Sequence, residues 1–258
     1  MRPRHRRSGV LLGFNASGEL GDGTKVAKSP PTPVSGGLTF LTISAGSGAT
    51  CGIASDRALY CWGSNVLGQL GDGQPIAYGG GASSTVPKRV VGGFTVAQAG
   101  AGLQYSCAVT TTSQAMCWGS NNGKFGNGNA TDSSIPQPVM GGLVARSIST
   151  GYAHSCLVTV SNEVWCWGDN HHGELGSAVG TGSNKPVRAG GSLLAAEVSA
   201  AGIGTGSGAT TCSISPDRLT VTCWGQNDVG QLGNAATEAV GTSVVNPVIV
   251  VGQKPLPH

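Results

Sequence analysis

A chain of 258 residues has room for one large domain or two smaller ones, and 39% hydrophobic residues with only 10% charged exclude intrinsic disorder. Its 44 glycines follow no Gly-X-Y period, which excludes collagen and points to many tight turns. The net charge of +3 rests on Arg2, Arg4, Arg6 and Arg7, so the body is close to neutral and lacks a broad electrostatic footprint for nucleic acid.

Residues 1–10 are expected to form a basic, disordered tail, the one segment suited to phosphates or an acidic surface. The stretch GVLLGF that follows is too short for the apolar core of a secretion signal. No targeting segment is therefore expected, and no apolar run has the length that spans a bilayer. Residues 11–36, with LLGFNASGELGDGT and PTPV, read as a partial repeat unit. Full units follow at about 37–91, 92–140, 141–189 and 190–251, and 252–258 reads as a short tail. Residues 11–251 are thus expected to be a single repeat domain.

Each full unit opens on a glycine pair at Gly36, Gly92, Gly141 or Gly190 and runs into an apolar stretch. A first cysteine follows, then a turn, then Cys-Trp-Gly beginning at Cys61, Cys117, Cys166 and Cys223. After it come SNVLGQLGDG, SNNGKFGNG, DNHHGELG and QNDVGQLGN. A proline-valine pair closes the units at Pro33-Val34, Pro138-Val139, Pro186-Val187 and Pro247-Val248, with Pro87 and Val90 as a looser copy. A period near 50 residues with about four short strands is the signature of a propeller blade. Glycine is too frequent, and apolar residues too irregular in helical spacing, for a helical solenoid.

In TCGIASDRALYCW, alternation puts Cys51 and Ile53 on one face and Gly52 and Ala54 on the other. Neither face is polar, as expected of a strand sandwiched between neighbouring blades. Folding the hairpin about Asp56 sets Cys51 opposite Cys61 and Ile53 opposite Leu59. The same spacing pairs Cys107 with Cys117 and Cys156 with Cys166, and Cys212 stands one residue further from Cys223. Opposed strand residues lie within disulfide reach. Disulfides and buried thiols both fit; the even, opposed set leans toward bridges and an oxidising compartment. Zinc half-sites want ligands two to four residues apart, and these stand about ten apart.

Trp62, Trp118, Trp167 and Trp224 are expected to pack between blades, each followed by Gly63, Gly119, Gly168 or Gly225. Asn65, Asn121, Asn170 and Asn227 open the turns, and Gly68, Gly71, Gly173, Gly176, Gly230 and Gly233 supply positive φ in them. Leu70, with counterparts Leu20, Phe125, Leu175 and Leu232, is expected to plug between blades. The position before it, held by Glu19, Gln69, Lys124, Glu174 and Gln231, reads as exposed because it varies. GQLGDG lacks the lysine and the following helix of a phosphate loop. His154 has Ala49, Tyr105 and Thr210 as counterparts and reads as structural; His171 and His172 lie in a turn without a second ligand pair. No catalytic, cofactor or metal residue is expected. Asn15 and Asn129 head Asn-X-Ser/Thr sequons, which matter only in a secreted chain.

HSCLVTVSNEVWCWGDNHHGELG and CWGSNVLGQLGDG resemble the regulator of chromosome condensation repeat, in its cysteine-paired subset, from about Leu11 to Val250. Kelch repeats share the period and the glycine pair, but their interval from that pair to tryptophan is shorter than Gly37 to Trp62. The resemblance implies an all-β, seven-bladed propeller of four-stranded antiparallel blades. Four full blades and a partial one are present, and both terminal halves are the same half of a unit. The expectation is an open arc, or a fragment of a larger ring. The resemblance also implies binding of proteins. The ultraviolet-B photoreceptors of this family use Gly-Trp-Arg-His-Thr motifs, where this chain has GSGAT, GLQYS, GYAHS and GSGATT. The expected function is a non-enzymatic protein-interaction scaffold, extracellular or at the cell surface if the cysteines are bridged. Its loops would be QPIAYGGGASST, NATDSSIPQ and SAVGTGSNK. The alternative is a nuclear or cytosolic regulator, either an exchange factor for a Ran-like small GTPase or a chromatin binder. No small-molecule substrate is expected, and the protein partner is not named by the sequence.

Overall fold

The computed structural model describes residues 9–203, 207–234 and 243–251. The tails predicted at 1–10 and 252–258 lie outside the described residues, apart from Gly9 and Val10.

The described chain is all-β. A two-stranded sheet pairs β1 (Val10–Gly13) with β2 (Lys28–Pro33). The first full sheet holds β3 (Phe40–Ala45), β4 (Ala49–Ala54), β5 (Leu59–Ser64) and β6 (Ser83–Arg89). The second holds β7 (Val96–Ala101), β8 (Tyr105–Thr110), β9 (Ala115–Gly119) and β10 (Ser133–Pro138). The third holds β11 (Ala145–Thr150), β12 (His154–Thr159), β13 (Val164–Asp169) and β14 (Gly182–Arg188). The fourth holds β15 (Glu197–Ile203), β16 (Ser207–Ile214), β17 (Val221–Gln226) and β18 (Ser243–Ile249). In each full sheet the strands lie side by side in chain order.

The chain divides into two compact units. One takes Met1–Thr112 with Met116–Ser120 and Asp132–Gln137; the other takes Ser113–Ala115 with Asn121–Thr131 and Pro138–His258.

The inner hairpins follow from the cysteine spacing. In the first sheet Cys51 stands opposite Cys61 and Ile53 opposite Leu59. The structure bonds Cys51 to Cys61, Cys107 to Cys117, Cys156 to Cys166 and Cys212 to Cys223, each across 4.1 Å between Cα atoms. The extra residue in the last hairpin is absorbed by its turn, since Cys212 still faces Cys223. All four hairpins turn through a left-handed residue that is not glycine: Arg57, Ser113, Asn162 and Arg218. Strands β4, β8 and β12 are buried at every position, as strands flanked on both faces must be.

Gly63, Gly168 and Gly225 of the Cys-Trp-Gly motifs sit at a register shift between the third and outer strands. At Gly63 φ is +100°, and a Cβ there would stand 2.6 Å from the Gly48 carbonyl oxygen. Only glycine fits such a bulge.

The outer strands correct the proline reading. The N–H groups of Val34, Val90, Val139, Ala189 and Val250 donate to carbonyls of Gly9, Leu59, Ala115, Val164 and Val221. This aligns Pro31, Pro87, Pro136, Pro186 and Pro247 as the repeated proline. The pairs Pro33-Val34 and Pro138-Val139 are therefore two residues out of step with Pro186-Val187 and Pro247-Val248. A two-residue slip keeps side chains on the same face, so alternation does not reveal it. These prolines lie on the outer edge strand of their sheets, where a missing N–H leaves the ladder intact.

The cores lie between sheets. In the first unit Cys51, Cys61, Ile53, Leu59 and Leu70 pack with Val96, Ala108 and Trp118 of the second sheet. In the second unit Cys156, Cys166 and Leu175 pack with Trp224 of the fourth. Each of these tryptophans thus lies over the disulfide of the preceding sheet, and Trp62 packs with Val34 and Phe40.

Candidate interaction surface

The turn after each Cys-Trp-Gly is organised by its asparagine. The Oδ1 atoms of Asn15, Asn65, Asn170 and Asn227 accept the N–H of Leu20, Leu70, Leu175 and Leu232 at 2.9–3.1 Å. Asn121 does the same for Phe125 at 3.0 Å. The Nδ2 atoms then donate onward, from Asn15 to the Val26 carbonyl, from Asn121 to that of Thr131 and from Asn170 to that of Gly180. One amide therefore ties the turn to the loop beyond it. Asn15 is fully buried in this role, so its sequon presents no acceptor on the folded surface, whereas Asn129 is exposed.

The position expected to be exposed is not. Gln69, Lys124 and Glu174 are buried, and Glu19 and Gln231 half-buried. The side chain folds back on its own turn: Gln69 Oε1 accepts the Leu67 N–H at 2.9 Å, Glu174 Oε2 that of His172 at 2.8 Å and Gln231 Oε1 that of Val229 at 2.9 Å. The variation between Glu and Gln at Glu19, Gln69, Glu174 and Gln231 thus reflects interchangeable caps of one backbone donor, a role the donor-only side chain of Lys124 does not share.

The backbone carbonyl of the same residue fastens one repeat to the next. Glu19 O accepts Trp62 Nε1–H at 2.8 Å, Gln69 O accepts Trp118 at 3.0 Å, Lys124 O accepts Trp167 at 2.7 Å and Glu174 O accepts Trp224 at 2.8 Å. A hydroxyl beside the first cysteine shares each carbonyl, from Thr50, Ser106, Ser155 and Thr211. Gly71, Gly126 and Gly176 lie beneath the indoles of Trp118, Trp167 and Trp224. The repeated residues are thus spent on architecture, and recognition falls to the segments between them.

Those segments are shorter than the sequence suggests. SSIPQ of NATDSSIPQ lies in β10, GSNK of SAVGTGSNK in β14 and SST of QPIAYGGGASST in β6. The free loops are therefore about 74–82, 129–132 and 177–181. The first is the longest. Its Tyr78 is 72% exposed and donates its hydroxyl to Asp132 Oδ2 at 3.1 Å, which links the loops of the first and second sheets. That bond and the nearby carboxylate push the phenol pKa up, so Tyr78 stays a donor. Below the loop lies an open depression of about 720 Å³, lined by Asp72, Gln74, Pro75, Lys88 and Arg89.

His154 is buried, and its Nε2 lies 2.9 Å from Thr211 Oγ1. The single hydroxyl hydrogen of Thr211 goes to Glu174 O, so His154 is the donor and carries its proton on Nε2. Burial pushes its pKa down to about 4 against the pull of Asp169. His171 is exposed and paired with Asp169. Among the described residues no three His, Cys, Asp or Glu side chains are grouped to hold a metal ion, and no helix is long and apolar enough to cross a membrane.

A family model described as the regulator of chromosome condensation (RCC1) repeat matches residues 57–109, and a second model of that repeat matches 40–69 and 145–174. Residues 40–109 and 145–174 carry regulator of chromosome condensation repeats. Its fold is similar to that of human WBSCR16, at 21% identity and a TM-score of 0.78 over 93% of this chain and 60% of that one. Prp20p of Saccharomyces cerevisiae, whose structure was described with its binding properties to Gsp1p and histones, aligns at 19% identity and a TM-score of 0.74. The match covers 93% of this chain and 58% of Prp20p. Yeast RCC1 (Prp20) bound to Kap60 aligns at 17% identity and a TM-score of 0.70, over 93% and 54%. The chain spans about three fifths of the length of the first of these structures. The four full sheets are blades of that β-propeller fold.

Proposed function

We propose that the chain is a non-enzymatic protein-interaction scaffold that recognises its partner with the loops between the third and outer strands of its blades. One observation carries this reading. The repeated residues are engaged in turns, cores and inter-blade bonds, while Tyr78 stands exposed on the longest loop and is held in place by Asp132. An exposed aromatic fixed by a hydrogen bond binds with little loss of side-chain entropy. The four bridges favour work in an oxidising compartment, outside the cell or at its surface.

The test is affinity capture with the folded chain and with a Tyr78→Ala, Asp132→Ala variant of unchanged melting temperature. A protein retained by the first and lost by the second supports the reading; equal retention overturns it. A second reading, regulation of a Ran-like small GTPase or of chromatin, draws on the likeness to Prp20p and its binding of Gsp1p and histones. Accelerated nucleotide release from a Ran-type GTPase, measured with a fluorescent nucleotide, would favour that reading.

A further inference from the structure

Two Asn-X-Ser/Thr sequons stand at opposite extremes of this fold: Asn15, Ala16 and Ser17 form one, and Asn129, Ala130 and Thr131 the other. Attachment of an oligosaccharide consumes one hydrogen of the asparagine Nδ2 and spares its Oδ1, so the state of that nitrogen decides whether a sequon is usable. Asn15 has no nitrogen to give. It is fully buried, and its Nδ2 donates to the carbonyls of Thr24 and Val26, both at 3.1 Å. Asn129 is the reverse. Its whole sequon is exposed in the free loop 129–132. Two donors fix which end of its amide is oxygen, since Oδ1 accepts the Thr131 N–H at 3.0 Å and Asn121 Nδ2 at 2.9 Å. Its own Nδ2 makes no hydrogen bond within the described residues.

The sister turn shows that the fold does not need this nitrogen. Asn15 Nδ2 reaches the Thr24 and Val26 carbonyls as Asn121 Nδ2 reaches those of Asn129 and Thr131, so Thr24 and Asn129 occupy one place. There Thr24 offers Asn15 only its Oγ1, at 3.4 Å. An oxygen serves the turn, and asparagine adds an idle amide nitrogen on the surface with a threonine two residues on. We propose, on the reading that the bridged chain works outside the cell or at its surface, that Asn129 is the site of an N-linked oligosaccharide. A transferase of the oxidising compartment joins Nδ2 to the anomeric carbon of an oligosaccharide carried on a polyprenyl pyrophosphate. The bond from that carbon to the pyrophosphate oxygen breaks, the lipid pyrophosphate leaves with the electron pair, and one Nδ2 hydrogen departs as a proton. Every hydrogen bond of Asn129 survives, because all of them use its Oδ1 or its backbone. The sugar shares loop 129–132 with Asp132, which holds Tyr78, and so borders the proposed partner surface.

The test is peptide mass spectrometry of the chain recovered from its own cells and treated with peptide-N-glycosidase in ¹⁸O-water, which leaves a labelled aspartate wherever a glycan stood. Alkylation before and after reduction reads the cysteines of the same sample. Label at Asn129 with none at Asn15 is the expected result. An unlabelled Asn129 in a chain whose cysteines are bridged overturns the site and leaves the compartment standing. An unlabelled Asn129 beside free thiols overturns both. Label at Asn15 refutes the part assigned to the amide nitrogen. Variants expressed in the same cells separate the sequon from the turn. Asn129→Asp keeps an acceptor oxygen for Thr131 and Asn121, so it should lose the glycan mass and keep the melting temperature. Thr131→Ser should keep the glycan and Thr131→Val lose it. A glycan mass that persists in Asn129→Asp refutes the assignment.

Discussion

Gly71 shows how much one atom weighs in this architecture. Its φ is +66°, and a Cβ would stand 2.6 Å from Trp118 Nε1, the atom bonded to Gln69 O. Gly93 has a similar φ of +67° with nothing within 4 Å. Gly93→Ala should cost about 1 kcal/mol from backbone strain alone. Gly71→Ala should cost about 3 kcal/mol, because overpacking against a buried indole is added. Urea denaturation of the two variants measures the gap, and equal losses would mean that the indole yields freely. His154 predicts a pH effect on stability. Its pKa falls from 6.5 to about 4 on folding, so the unfolded chain binds the extra proton between those values. Stability should therefore drop, by about 3 kcal/mol in the limit, as pH falls through that window. His154→Gln keeps a donor for Thr211 and should lose less over the same range, which denaturation at about pH 6.5 and 4.5 would show. Of these residues, Gly71 was legible as a turn glycine, but its contact with Trp118 was not. Nothing in a single repeat reveals that its turn lies under the next repeat's indole. Gln69 and Glu174 were misread for a related reason: a polar position that varies resembles solvent until the backbone N–H it caps is seen.

At the scale of the element, the inner hairpin is the most local unit and the most legible. Ten-residue cysteine spacing, a turn near Asp56 and apolar alternation all imply the register that sets Cys51 opposite Cys61. Closing so short a loop contributes about 2–3 kcal/mol. Cys51→Ala with Cys61→Ala should therefore lower stability by about that amount, plus a packing loss, since Trp118 lies on the pair. Denaturation with the other three bridges intact checks it. A loss well under 1 kcal/mol would mean that the bridge constrains little beyond what the strands already hold. The outer strand was less legible. Pro33-Val34 and Pro186-Val187 look alike but sit two residues apart in register, and only the bond of Val34 or Ala189 to the neighbouring strand tells them apart. The loops were overestimated for the same reason. SSIPQ has a polar, proline-containing composition, yet as β10 it needs only one bonded edge.

Over the whole molecule, the four bridges decide where the fold can operate. They close separate, non-nested hairpins, so their contributions should be close to additive. Four at about 2–3 kcal/mol each give about 10 kcal/mol, which is comparable to the whole stability of an ordinary domain. The inter-blade bonds from Trp62, Trp118, Trp167 and Trp224 cannot substitute for them, because each joins only neighbouring repeats. A chain built in this way should be firmly folded when oxidised and marginal when reduced. Most of the bridge sulfurs are buried, so reduction proceeds through opening of the blades and needs long equilibration. After such treatment with a strong dithiol, the melting temperature should fall by well over 10 °C, judged from the few degrees per kcal/mol typical of this size. Near-ultraviolet circular dichroism should lose the signal of the packed indoles in parallel. A reduced protein that keeps its melting temperature and its indole signal would mean that the sheets carry the fold alone. The cytosolic or nuclear regulator would then become the better reading. Loss of both would tie the folded loops, and the Tyr78 surface with them, to an oxidising compartment.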